Sequence, residues 1–170
     1  MPFKVTFKGN SLTLSGNGPE KGSPAPGFKV LKQDLSETGL TDFKGKVKIL
    51  TSFPSLDTPV CDLQVKEFNK RAVNFSSDVA VIGISMDLPF AQKRFCQEND
   101  INNVTVVSDH RDASFGLNYG LLIKELRLLA RSIIIVDKED IVRYIQVVGE
   151  LTNPPDYEAA LKALQEILRG

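Results

Sequence analysis

Between its two ends, the stretch Asp78-Val79-Ala80-Val81-Ile82-Gly83-Ile84-Ser85 carries no polar side chain. A strand with one wet face alternates. A strand without alternation is covered on both faces, and sheets of that kind are largely parallel with helices packed on them. Val47-Lys48-Ile49-Leu50-Thr51-Ser52-Phe53, Val104-Thr105-Val106-Val107-Ser108 and Ser132-Ile133-Ile134-Ile135-Val136 are further apolar runs of strand length. Helical stretches lie between them: Asp62 to Phe75, then about Pro89 to Asn99 with Asp87 near its start, then a short one over Ala113 to Tyr119. Strand–helix alternation of this kind argues parallel pairing through crossover helices.

The two ends of the chain follow other patterns. Phe3 to Phe7 alternates in the strand period, and Leu12-Thr13-Leu14 follows across Lys8-Gly9-Asn10-Ser11, which is a β-hairpin signal. Gly16 to Gly27 is dense in glycine and proline and reads as a loop. Phe28 to Leu31 reads as a short strand, and Leu40 to Lys46 as a turn region. Ile141 to Val147 returns beside Ser132 to Val136 around the turn Asp137-Lys138-Glu139-Asp140. Pro154-Pro155 opens a last helix whose Tyr157, Ala160, Leu161, Leu164, Ile167 and Leu168 fall at helical spacing. The expected fold is therefore α/β: a central mixed sheet flanked by helices, with an N-terminal β-hairpin. A chain of 170 residues suits one domain, 1–170, with room for a full core.

The chemistry concentrates where the strand ending at Phe53 hands over to a helix, in Pro54-Ser55-Leu56-Asp57-Thr58-Pro59-Val60-Cys61. Thr58 is a good N-cap, and a residue before proline is pushed out of the α region, as a cap must be. Pro59 suits the first helical position, where its missing N–H costs nothing. With Thr58 as the cap, Cys61 is the third helical residue, and its N–H is a candidate donor to the Thr58 hydroxyl. Its sulfur then lies near the positive end of the helix dipole, which favours thiolate and predicts a thiol pKa below the usual value of about 8.5. The competing reading is a small buried hydrophobe at a helix start.

Cys96 follows 35 residues after Cys61, too far for a Cys-x-x-Cys motif. On its helix Phe95 has Ala91 one turn back, whereas Cys96 has Gln92 and Lys93 one turn back and Asn99 and Asp100 ahead. That face is polar and predicts a sulfur near solvent. It suits either an oxidation-prone working thiol or an idle one. Arg131 opens the strand Ser132 to Val136 and, read alone, is a charge at a strand end. His110 sits in the polar loop Ser108-Asp109-His110-Arg111-Asp112 and reads as a solvated residue rather than a base for a cysteine.

Composition narrows the function. With 21 basic and 21 acidic residues there is no electrostatic case for nucleic acid or an anionic membrane. The apolar runs are too short to span a bilayer, and the first eight residues lack a signal peptide's continuous apolar segment, so a cytoplasmic location is expected. In a reducing compartment two cysteines are more often catalytic or redox-sensing than a structural staple. With one histidine and no ligand-spaced cluster, no metal site is expected, nor a flavin or nucleotide.

Pro54, Thr58 and Cys61 match the Pro-x-x-x-Thr/Ser-x-x-Cys signature, and on that motif the chain resembles the peroxiredoxins. Asp57 to Cys61, Phe90 to Cys96, Ala130-Arg131-Ser132, Glu150-Leu151-Thr152 and Pro155 to Leu161 are similar to the bacterial thiol peroxidase branch, of the atypical two-cysteine type. The resemblance implies a thioredoxin-like fold and a peroxidase without cofactor. It implies that Cys61 attacks a hydroperoxide and becomes a sulfenic acid, and that Cys96 resolves it as an intrachain disulfide which thioredoxin reopens. It implies that Thr58 and Arg131 hold the peroxide, that Pro54 shields the sulfur, and that the protein is a homodimer. The apolar residues near Cys61 lean toward organic peroxides, with hydrogen peroxide also a substrate. Forming that disulfide from two separate helices predicts local unwinding on oxidation. Three rivals remain from the residues alone: a protein thiol–disulfide oxidoreductase, a non-enzymatic binding module, and a redox sensor sharing the first chemical step.

Overall fold

The computed structural model describes residues 3–170; Met1 and Pro2, part of the N-terminal segment read for a leader, lie outside the described residues. The chain runs β1 (Val5–Phe7), β2 (Asn10–Leu12), β3 (Leu14–Ser15), β4 (Lys29–Leu31), β5 (Glu37–Gly39), a 3₁₀ turn (Leu40–Phe43) and β6 (Val47–Ser52). It continues α1 (Pro59–Ala72), β7 (Val79–Ser85), α2 (Pro89–Glu98), β8 (Thr105–Ser108), α3 (Ser114–Asn118), β9 (Leu122–Ile123), β10 (Leu128–Leu129), β11 (Ser132–Val136), β12 (Val142–Val147) and α4 (Tyr157–Arg169).

Seven strands form the central sheet in the order β12-β11-β6-β7-β8-β4-β5. β6, β7 and β8 pair parallel, and the outer strands pair antiparallel, so the sheet is mixed as expected. β1 and β2 form the expected N-terminal hairpin. Leu14, read as continuing that hairpin, instead starts β3, which joins β9 and β10 in a separate three-stranded sheet.

Because β6, β7 and β8 step across the sheet in one direction, both right-handed crossovers place their helices on the same face. That face holds Cys61, Val65 and Phe68 from α1, Phe95 and Cys96 from α2, and Ala160 and Leu164 from α4, packed on Val47, Ile49, Ile133 and Ile135. The other face is covered by α3 and the small sheet, with Phe115, Tyr119, Leu122, Ile123 and Leu129 against Leu50, Ile82, Ile84 and Ile134. Covered on both sides, β6 is buried along its whole length, including Lys48, whose ammonium pairs with Asp140 in the β11–β12 turn.

α1 starts where capping chemistry puts it, with Thr58 extended (φ −113, ψ 145) and Pro59 at the first helical position. It ends at Ala72, earlier than the expected Phe75. Asp62–Lys66 and Glu67–Arg71 ion pairs run along it, and the acidic first turn and basic last turn suit its dipole. α4 begins two residues after Pro155, where the Asp156 carboxylate accepts the Ala159 N–H at 3.0 Å.

Candidate active site

Cys61 lies in the first turn of α1, at the carboxyl end of β6, and is fully buried. As at any helix start, the N–H groups of Val60 and Cys61 precede the first intrahelical bond, which runs from Asp62 to the Thr58 carbonyl. The expected cap bond is absent. The Thr58 hydroxyl does not accept from the first turn; it donates backward to the Ser55 carbonyl at 3.0 Å. The reason is local: residues 55–58 form a turn, closed by the Thr58 N–H on that same carbonyl at 3.2 Å. Pro54 is buried behind that turn, whereas Thr58 is exposed.

Arg131 comes from just before β11, 70 residues after Cys61 in sequence, but β11 lies next to β6 in the sheet. It is 2% exposed, and its Nη1 donates to Cys61 Sγ at 3.3 Å and to Gln64 Oε1 at 2.9 Å. Nη2 and Nε donate to the Leu151 carbonyl at 2.7 and 3.3 Å. Among the described residues no carboxylate lies within ion-pair reach of this buried guanidinium. Burying a charge without a partner is expensive, and this guanidinium meets only the Cys61 sulfur, the Gln64 amide oxygen and the Leu151 carbonyl.

Two side chains that sequence reasoning did not single out hold this arrangement. Gln64, one turn after Cys61, is fully buried and donates to Thr51 Oγ1 at 2.6 Å and the Ser52 carbonyl at 3.1 Å, so its oxygen must face Arg131. Its position three residues from Cys61, on the same helix face, is a signal that could have found it. Leu151 presents its carbonyl because Thr6 of β1 brackets it: Leu151 N–H donates to the Thr6 carbonyl at 2.9 Å and Thr6 N–H to Gly149 at 2.7 Å. Glu150 fixes the same junction by accepting from Thr6 Oγ1, the Gly9 N–H and the Thr152 N–H, each at 2.9 Å. Bonds from Gly9 and Thr152 pull its carboxyl down to about 2.

Cys96 corrects the sequence reading. It is not on a solvent-facing side of α2 but 8% exposed and in the same apolar cluster as Cys61. Gln92, taken as marking a wet face, is itself fully buried, because its amide donates to the Val107 carbonyl at 2.8 Å and to Ser85 Oγ at 3.1 Å. A polar side chain with partners is no guide to solvent. The Gln33 amide, in the turn between β4 and β5, donates to Cys96 Sγ at 3.3 Å. Burial pushes the Cys96 thiol up, and the Gln33 bond opposes that only in part. Both cysteines are free thiols.

His110 is half-buried, and among the described residues no hydrogen bond joins its ring to either sulfur. No cluster of three or more His, Cys, Asp or Glu able to hold a metal occurs among the described residues. No described helix is long and apolar enough to cross a membrane.

Comparison with known proteins gives one consistent answer. The family profile described as Redoxin matches residues 20–161. A thiol peroxidase of Oceanobacillus iheyensis is 49% identical over 95% of this chain and 98% of its own. One of Bacillus subtilis is 48% identical over 98% of this chain and 99% of its own. Among solved structures, a peroxiredoxin-like protein from Aquifex aeolicus superposes with a TM-score of 0.91 at 41% identity, covering 98% of each chain. These likenesses, with the mixed sheet and N-terminal hairpin, bear out the thioredoxin-like architecture.

Proposed function

The chain belongs to the redoxin family and, within it, to the thiol peroxidases, and from that premise we propose that it reduces hydroperoxides through a sulfenic acid on Cys61. The observation that carries this reading is the buried Arg131 guanidinium, without a carboxylate partner among the described residues and with Nη1 3.3 Å from Cys61 Sγ. A cation donating to a sulfur stabilises the thiolate, which is the nucleophile. It is also placed to bond the oxygen under attack, and the free N–H groups at the start of α1 add further donors where charge develops. Pro54 forms the buried back of the pocket. Thr58 supports substrate binding through the turn it closes.

The steps balance as follows. The Cys61 thiol and ROOH give Cys61–SOH and ROH. Cys61–SOH and the Cys96 thiol give an intrachain disulfide and water. A dithiol reductant, thioredoxin in our reading, is oxidised to its own disulfide and returns both thiols. Hydrogen peroxide and organic hydroperoxides are both substrates. The cytoplasm is the compartment in which thioredoxin would return the thiols.

The test is intact mass after one equivalent of cumene hydroperoxide on the reduced protein. Wild type should lose two hydrogens, Cys96→Ser should hold a trappable sulfenic acid, and Cys61→Ser should not react rapidly. Thioredoxin with its reductase should then restore the wild-type mass. Cys61→Ser oxidised as fast as wild type overturns the assignment.

We also place the protein as a homodimer, with exposed Leu88 and Phe90 at the start of α2 as the apolar contact surface. Sedimentation should give twice the chain mass of 18.7 kDa, and Phe90→Lys should shift it toward one chain. A monomer at tens of micromolar refutes it.

A further inference from the structure

We propose that Asp87 is the positioning residue that keeps the Cys61 loop closed against the Cys96 helix, and that its release is the step by which the two sulfurs meet. This rests on the peroxidase reading above and extends it to what controls resolution.

Among the described residues, every hydrogen bond that ties residues 54–58 to another part of the chain, apart from the start of α1 itself, ends on Asp87. Its Oδ1 accepts from the Ser55 hydroxyl at 2.8 Å, and its Oδ2 accepts from the Leu56 N–H at 2.9 Å. The remaining bonds of that loop are internal, among Ser55, Asp57 and Thr58. Pro54 has no N–H to give. Asp87 is in turn held from the ends of β7 and β8. Ser85 Oγ donates to Oδ2 at 2.6 Å, and the Ser108 hydroxyl donates to the Asp87 carbonyl at 2.5 Å. Ser85 Oγ also accepts from Gln92, which lies one turn before Cys96. One continuous set of bonds thus runs from the loop that precedes Cys61 to the turn that carries Cys96. The Gln92 Oε1 atom is buried without a hydrogen-bond partner, so this end of the set is under-satisfied in the closed state.

A second clasp sits at the far end of the same helix pair. Asn69 of α1 accepts from Asn102 and Asn103 N–H at 3.1 and 2.8 Å and donates to the Asp100 carbonyl at 3.3 Å, just past the end of α2. α1 and α2 are therefore pinned at both ends. Helix rise puts Cys61 about 3 Å into α1 but Cys96 roughly 10 Å along α2. With neighbouring helix axes ~8–10 Å apart, the sulfurs cannot bond while both helices stay pinned. A disulfide needs Cα atoms within about 4.4–6.8 Å. The Asp87 clasp is the one beside Cys61, and opening it frees the loop and the first turn of α1 while Gln64 and Asn69 hold the rest. Closed, the loop keeps Cys61 on Arg131 for attack on peroxide. Open, it delivers the sulfenic acid to Cys96.

The experiment compares wild type with Asp87→Ala, Asp87→Asn, Ser55→Ala and Asn69→Ala. The rate of Cys61 oxidation and the rate of disulfide formation are followed separately by stopped flow. The sulfinic fraction (from Cys61–SOH plus a second ROOH giving Cys61–SO2H and ROH) is read by mass at excess cumene hydroperoxide. Asp87→Ala should slow the first oxidation and lower the sulfinic-to-disulfide ratio roughly fivefold or more, as expected when two bonds to a charged group are lost from the closed state alone. Asp87→Asn, which keeps one acceptor oxygen, should recover most of the difference. Ser55→Ala, which leaves the carboxylate in place and is the safeguard should Asp87→Ala misfold, should move the ratio the same way by less. Asn69→Ala should lower the melting temperature without moving the ratio. An unchanged ratio in Asp87→Ala or Ser55→Ala, or an equal change in Asn69→Ala, overturns the proposal. Failure of wild-type Cys61 to oxidise at all would instead overturn the peroxidase reading.

Discussion

Cys61 and Cys96 are both buried, both in a helix on the same face of the sheet, and held in opposite ways. Cys61 is met by a guanidinium that is itself fixed by Gln64 and the Leu151 carbonyl, and through them by β6 and β1. Cys96 is met by one neutral amide from Gln33, on the turn of an edge hairpin. One environment creates a need for negative charge; the other only conceals a thiol and pushes its pKa up. Burial alone therefore says nothing about which cysteine reacts. In the function proposed above, the charge of the partner, and how rigidly that partner is mounted, is what would separate nucleophile from reserve thiol.

The sharpest way to break the contrast is to remove the cation. Arg131→Met should cut the rate of Cys61 oxidation by about 10²–10³, since it takes away both thiolate stabilisation and an oxyanion donor. Arg131→Lys should fall between, because a single ammonium cannot reach the sulfur, Gln64 and Leu151 together. Stopped-flow oxidation with cumene hydroperoxide reads both, and Arg131→Met within a few-fold of wild type would mean that the sulfur needs no cation.

A smaller effect sharpens the other side. Because its pKa is raised, Cys96 is mainly thiol at neutral pH, and its thiolate grows as pH rises toward and through that pKa. Resolution should accelerate between pH 7 and 9, roughly tenfold per unit. Gln33→Ala removes the bond that favours the Cys96 thiolate, so the resolution profile should move to higher pH and the neutral rate should fall about threefold. Faster resolution in Gln33→Ala would show that the hairpin restrains Cys96 rather than activating it.

Much of the architecture was legible because apolar runs of strand length ask to be covered on both faces, and β6, β7, β8 and β11 lie within a residue or two of them. The place of Cys61 was legible too, since Thr58-Pro59 fixes a helix start from local chemistry. What escaped was set by contacts between distant residues. β3, β5, β9 and β10 are two or three residues long, too short for any periodicity. Cys96 was misplaced because Gln92 counted as polar, although its partners, Val107 and Ser85, bury it. Asp87 passed as a helix-start residue; Leu88 takes that place, and the carboxylate reaches back to a loop thirty residues earlier.

The bracket of β1 around Gly149 and Leu151 also dictates an order of assembly. Thr6 and Gly149 are 143 positions apart, and the Leu151 carbonyl that orients Arg131 is set only once they have met. On a chain emerging from the ribosome, Cys61 appears early, but the bonds that aim its cation close over more than 140 residues. Until β1 has met residues 149–151, nothing fixes the Leu151 carbonyl on which two nitrogens of Arg131 rest, so the cation beside Cys61 is not yet aimed.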